Sequence, residues 1–181
     1  TTPQATGDVT IPDPGLEDVI RGALQLRPTD PITESALSGI KQINLCVATM
    51  SNIEDLTGLE YCTSLTRLDL SRNIIVDLTP LQKLTSLETI WLGSNKISDL
   101  TPLRELTNLT ELMLSDNQIS DLTPLQGLTG LKALMLNVNK IHDLAPLAGL
   151  TRLEILDVSQ TQISDLMPLQ GLTKLTEMRL R

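Results

Sequence analysis

The sequence predicts an α/β solenoid, a right-handed superhelix of short stacked coils with a parallel β-sheet on its concave face. Three observations predict it. The chain falls into rows of 22 residues without a gap, its apolar residues are almost all aliphatic (no Phe, one Trp, one Tyr), and an Asp and a Pro recur at fixed positions of successive rows. Self-similarity at a short fixed period marks a repeat architecture. A single coil of this length cannot bury its own apolar faces, so stability must come from stacking on its neighbours.

The rows begin at Ile43, Leu65, Leu87, Leu109, Leu131, Leu153 and Leu175. Each follows L-x-x-L-x-L-x-x-N-x-I-x-D-L-x-P-L-x-x-L-T-x, as in the stretch LTNLTELMLSDNQISDLTPLQG. Positions 1, 4 and 6 hold apolar residues around a short strand, so one set of side chains faces inward and the alternate set outward. Position 9 is Asn73, Asn95, Asn117 and Asn139, with Ser51 and Thr161 at the two ends. An inward amide can satisfy backbone groups at a tight bend, which predicts an asparagine ladder through the stack. Positions 13 and 16 carry the Asp column (Asp55, Asp77, Asp99, Asp121, Asp143 and Asp165) and the prolines Pro80, Pro102, Pro124, Pro146 and Pro168. Proline held at helical φ just after a capping residue starts a short helical turn, predicting 3-10 turns on the convex side.

The first coil needs a cover, and the segment before it supplies one. In DPGLEDVIRGALQL, Leu16, Val19, Ile20, Ala23 and Leu24 form one helical stripe, with Asp13 as N-cap and Pro14 at the first helical position. A second short helix is expected from Thr33 to Gly39. The predicted organisation is a disordered segment or linker over 1–9, a helical N-terminal cap over 10–42, and repeats over 43–181, comprising six full rows and a final strand. That strand leaves Leu175, Met178 and Leu180 without a covering coil, so further repeats, a following domain or a second copy of the chain is expected over this edge. A chain that starts at Thr1 reads as one that has lost a leader or as an excerpt.

Composition narrows the function classes. The net charge of −8 argues against nucleic acid, whose phosphates require clustered Lys and Arg. Six of those charges belong to the Asp column, so the acidity is mostly a property of the repeat and says little about a basic ligand. No apolar run reaches the roughly 18 residues needed to cross a bilayer.

The 22-residue row with D-L-T-P-L, preceded by IPDPGLEDVIRGAL and then DLTGLEYCTSLTRLDLSRN, resembles the bacterial internalin family of leucine-rich-repeat proteins. The resemblance covers about residues 10–181. It implies a protein that is exported or displayed on the cell surface and that binds other proteins through the concave sheet.

A partner would meet the outward positions 3 and 5, with 7 and 8 at the rim. Position 5 reads Val47, Asp69, Trp91, Met113, Met135, Asp157 and Arg179. Three consecutive large apolar residues therefore project from neighbouring strands. Ala133, Val138 and Ile155 extend the patch, and Arg67, Asp69, Arg72, Glu111, Asp116, Asp157, Arg179 and Arg181 surround it with mixed charge. An apolar centre with a polar rim is the composition of a protein interface. The expected partner-binding residues are Trp91, Met113, Met135, Ile155, Val138, Arg67, Asp69, Glu111, Asp157 and Arg179.

No catalytic, metal or cofactor site is expected. The Asp column could be pictured as stacked calcium ligands, but each Asp precedes a turn that it can cap. His142, the sole histidine, sits at a variable side position without a nucleophile beside it, and Ser71, Ser115 and Ser159 are small rim residues. Cys46 and Cys62 occupy positions that are otherwise inward Leu. They read as two buried thiols or as a disulfide stapling the first coil in an oxidising compartment. The expectation is a non-enzymatic protein-binding module, secreted or at the bacterial cell surface. The alternatives are a sensing or scaffolding segment of a larger cytoplasmic regulator and self-association through the last strand.

Overall fold

The computed structural model describes residues 7–44 and 52–180. Helix α1, Pro14–Leu24, starts where the Asp13 side chain accepts the Leu16 N–H at 3.0 Å, with proline in its first turn. Leu16 and Ile20 are fully buried and Val19 and Leu24 pack against the same core, while Ala23, expected on the stripe, is exposed. Helix α2, Glu34–Ser38, is capped by the Thr33 side chain and ends at Gly39. The cap begins earlier than the polar composition of 1–9 suggests. Asp8 pairs with Thr33 in an antiparallel bridge, and the Val9 N–H donates to the Ile32 carbonyl at 2.7 Å. Residues 1–6 lie outside the described residues.

Seven three-residue strands follow: β1 Gln42–Asn44, β2 Arg67–Asp69, β3 Thr89–Trp91, β4 Glu111–Met113, β5 Ala133–Met135, β6 Ile155–Asp157 and β7 Glu177–Arg179. They pair in chain order as one open parallel sheet. On the opposite face, 3-10 turns run at Leu59–Tyr61, Thr79–Leu81, Thr101–Leu103, Thr123–Leu125, Ala145–Leu147 and Met167–Leu169. The middle residue of each strand from β1 to β6 points into a continuous core of Leu and Ile sandwiched between sheet and turns. Strands pair at about 4.8 Å, whereas helical turns are bulkier, so the sheet takes the inner face of the curve. Met178 on β7 and Leu180 just after it are exposed.

The turns are closed by the Asp column. Asp77, Asp99, Asp121, Asp143 and Asp165 each accept, at 2.8 Å, the N–H of the residue two positions on: Thr79, Thr101, Thr123, Ala145 and Met167. In these coils the cap position itself is the following leucine, so the aspartate acts from one residue outside it. Each orphan donor at the head of a proline-led turn thereby gains a charged acceptor. Bonds from the Thr101 and Thr123 side chains, and then from their backbone N–H groups, hold the Asp99 and Asp121 carboxyls below the usual carboxylate range.

The gapless phasing fails in the first coil. Ile43 pairs with Leu68, 25 residues on, whereas Leu68 pairs with Ile90 at the regular interval of 22. The 22-residue phase is regained by Ile53, whose carbonyl accepts from Ile74 as the Ile75 carbonyl accepts from Lys96. Three additional residues therefore fall between Asn44 and Ile53. The sequence is ambiguous here, because Ile40-x-x-Ile43 and Ile43-x-x-Cys46 offer the same spacing. The fold uses the first pair, burying Ile40 and Ile43. Asn44, not Val47, occupies position 5 of the first strand. Val47, Cys46 and Ser51 lie outside the described residues, and with Cys46 goes the question of a disulfide. Cys62 is fully buried, and burial, reinforced by the nearby Glu60 charge, pushes its thiol up to about 12.

The asparagine ladder joins the coils. The Asn117 amide is representative: its oxygen accepts the Ile97 N–H at 2.9 Å, and its nitrogen donates to Leu92 of the preceding coil at 3.0 Å and to Leu114 of its own at 3.1 Å. Asn95 and Asn139 repeat the pattern. Asn73 takes the Ile53 N–H and donates within its own coil. At the far end the Thr161 hydroxyl donates to the Val158 carbonyl, within its own turn.

Two contacts attach the cap. Besides capping α1, Asp13 accepts the Glu54 N–H at 2.8 Å and the Asp55 N–H at 3.2 Å, so one buried carboxylate bridges helix and first coil. Gly58, at φ 105°, sits where a Cβ would come within 2.2 Å of Ile11 Cδ1. It stands at position 16, which later rows give to proline, and its missing side chain lets the cap's isoleucine close on the turn.

Two predictions follow from these joints. Asn117→Ala orphans the Ile97 N–H and removes the bridge between two coils, and is expected to cost about 3 kcal/mol in urea unfolding. Asp13→Ala is expected to cost about 2–3 kcal/mol, lowering Tm by roughly 4–12 °C. For the Asp13 carboxyl, burial opposes the charge, but the N–H groups of Glu54, Leu16, Asp55 and Gly15 outweigh it and hold the pKa below that of the unfolded chain. Its stabilisation is therefore full above the ordinary Asp range and lost as pH falls through the lowered value. Circular dichroism melts between pH 7 and 2 should show a smaller acid dependence in Asp13→Ala than in the wild type.

Candidate functional site

The sheet register sets the expected site residues beside one another. Asp69, Trp91, Met113, Met135, Asp157 and Arg179 are direct partners across successive strands β2 to β7, and Arg67, Thr89, Glu111, Ala133, Ile155 and Glu177 form the column two residues earlier. Trp91, Met113 and Met135 are half-buried, their flanks packed and their outer surfaces open. Parallel strands about 4.8 Å apart make these three a continuous apolar strip across β3–β5.

Its edges differ in character. At the β2 side, the Arg67 guanidinium stacks over the Trp91 indole with Cζ 4.2 Å from the ring centroid. Such a contact contributes about 0.5–2 kcal/mol and keeps the guanidinium charge over the ring. The Trp91 Nε1 is buried without a hydrogen-bond partner, which costs about 1–3 kcal/mol. Asp69 turns back to accept the Ser71 N–H at 3.1 Å. At the β6 side, Asp157 is only 6% exposed. It accepts from the Ser159 N–H and hydroxyl at 2.9 and 2.6 Å and lies 3.7 Å from the Arg179 guanidinium, which also holds Glu177 at 2.6 Å. Asp157 and Arg179 thus pair with each other and with neighbouring side chains, Arg179 staying exposed, whereas Arg67 and Glu111 make no ion pair among the described residues.

The rim is built from an unusual backbone. Position 8 is left-handed in each described row: Arg72, Ser94, Asp116, Val138 and Gln160 have φ between 53° and 62°. There the chain leaves the strand while each N–H of the first four still reaches the position 7 carbonyl of the next coil, at 2.8–3.0 Å. Val138, half-buried beside Met135, is the β-branched member of this column, and the left-handed region costs such a residue about 1–2 kcal/mol. Beside it, Asn137 accepts a hydrogen bond from the Ser115 hydroxyl across the coils. Asn137 was not singled out in the sequence, although its position 7 is the one that makes Ser71, Ser115 and Ser159 rim residues.

Comparison with known proteins agrees with this geometry. A family profile described as leucine-rich repeats in two copies matches residues 63–105, 107–149 and 129–173. The chain belongs to the leucine-rich-repeat family. Its repeats are internalin-like. The structure is similar to that of an internalin, InlF, of Listeria monocytogenes, with 34% identity and a TM-score of 0.75 over 93% of this chain and 56% of that one. It is also similar to internalin C2 of the same organism, with 29% identity and a TM-score of 0.62 over 98% of this chain and 100% of that one. The chain thus spans little more than half the length of the InlF structure. No curated protein sequence matches it. Leucine-rich-repeat modules of this kind are generally non-enzymatic and bind proteins, and among the described residues no helix is long and apolar enough to cross a membrane.

Val138→Asn keeps the left-handed turn but removes the β-branch, and is expected to raise stability by about 1 kcal/mol in denaturant unfolding. An unchanged or lower midpoint would mean that Val138 packing outweighs the backbone strain.

Proposed function

We propose that this chain is a protein-binding module that holds its ligand against the concave sheet, within an exported or surface-displayed bacterial protein of adhesion type. The observation that carries the reading is the strip Trp91, Met113 and Met135 on three adjacent strands, on the face that leaves the coil's own packing undisturbed. Large half-buried apolar side chains with open outer surfaces are the residues on which binding energy concentrates, and the only tryptophan of the chain is among them. Ile155 and Val138 widen the strip, and Arg67, Asp69, Glu111, Asp157 and Arg179 form its polar margin. Methionine adapts its shape, so the strip suits a ligand surface of irregular contour. The likeness to internalins supports export or surface display.

Trp91→Ala and Met113→Glu are the decisive substitutions. Against a partner isolated by pull-down, each is expected to weaken binding by about 2 kcal/mol or more, roughly 30-fold in Kd by calorimetry. Unchanged affinity, with circular dichroism and melting temperature retained, would remove the strip as the binding site.

A further inference from the structure

The arginines that β2 and β7 contribute to the sheet face are in opposite conditions. Arg179 is held by Glu177 and Asp157. Arg67 holds its guanidinium carbon 4.2 Å from the centroid of the Trp91 ring, and among the described residues neither Asp69 on its own strand nor Glu111 two strands away forms an ion pair with it. A cation–π contact is made through the charge of the guanidinium and uses up none of its five N–H donors as a hydrogen bond to an acceptor would. Among the described residues Arg67 is therefore a fork of donors held over the ring without an acceptor, and the buried Trp91 N–H beside it also lacks one.

We propose that the Arg67–Trp91 pair is a carboxylate-recognition subsite, so that the partner presents an Asp or Glu side chain close to a large apolar one. This rests on the reading that the concave face binds protein, and it adds the chemistry of the ligand. A carboxylate can take two parallel hydrogen bonds from the edge of a stacked guanidinium without disturbing the stack. The tip of Arg67 lies over β3, so Met113 and Met135 are one and two strand spacings beyond it, about 5 and 10 Å. An extended segment running across the strands advances about 3.3 Å per residue, so its apolar side chain falls one to three residues from the acid.

The test uses the full chain, immobilised, to select from a displayed library of random twelve-residue peptides. Selected peptides are then titrated in solution against the wild type and each variant by isothermal calorimetry, a readout that does not depend on the single tryptophan. The expected result is enrichment of Asp or Glu within three residues of Leu, Met, Phe or Trp. Replacing that acid by its amide weakens binding at least 10-fold in the wild type and has little further effect in Arg67→Lys or Arg67→Gln, whose folds are checked by circular dichroism. Peptides that depend on Met113 but carry no acid, or an acid whose loss costs the same in wild type and Arg67→Lys, overturn the subsite while leaving the binding face intact. Peptides indifferent to both Trp91→Ala and Met113→Glu overturn the face and the subsite together. So does a failure to enrich any peptide, including the case in which the immobilised chain retains acidic glycans instead.

Discussion

Each coil of this molecule leaves backbone groups that only its neighbour can satisfy, and the inward asparagine amide, buried at Asn73 and Asn139 and half-buried at Asn95 and Asn117, is the group that does so. One Asn117 side chain takes a donor and supplies acceptors' partners on two consecutive coils. The aliphatic core is non-directional and would tolerate some sliding of one coil past the next. The amide would not, because its oxygen and nitrogen each need a particular backbone atom. Hydrophobic burial thus drives the stacking, while the ladder sets its register and, through the register, which side chains stand beside one another on the sheet.

The concave strip is a product of that register. Trp91, Met113 and Met135 lie 22 residues apart in sequence and one strand apart in space only because each coil repeats the same path. The rim belongs to the same device. A left-handed residue at position 8 turns the chain out of the strand in every described row, and at Arg72, Ser94, Asp116 and Val138 its N–H stays in the ladder of backbone bonds. Side-chain identity is free there at the cost of backbone strain, which is slight for Ser94 or Asp116 and larger for Val138.

Much of this was legible in the sequence because two periods carry it. The period of 22 exposes the coils, and the period of two within each strand assigns Trp91 and Leu92 to opposite faces. The helical stripe of Leu16, Val19, Ile20 and Leu24 is likewise a spacing. What spacing cannot carry is the diagonal contact between columns. Arg67 at position 3 of one strand meets Trp91 at position 5 of the next through its choice of rotamer, and Asp157 is buried by its bonds to Ser159 and Arg179. The phase of the first coil was ambiguous because Ile40, Ile43 and Cys46 are evenly spaced, and the two phases differ only in which of them faces a partner strand. The dual role of Asp13 was half visible. Its cap on α1 is local, but its bonds to Glu54 and Asp55 span more than forty positions.

The irregular first coil shows where this architecture tolerates added length. Three more residues separate Asn44 from Ile53 than separate Asp69 from Ile75, at the end of the array where helices rather than another coil precede the first strand. The same insertion in a middle coil would shift an asparagine away from both neighbours and open the strip at that strand. Loop grafts and new epitopes therefore belong at the capped end of the array, where lengthening the chain leaves every other turn in step.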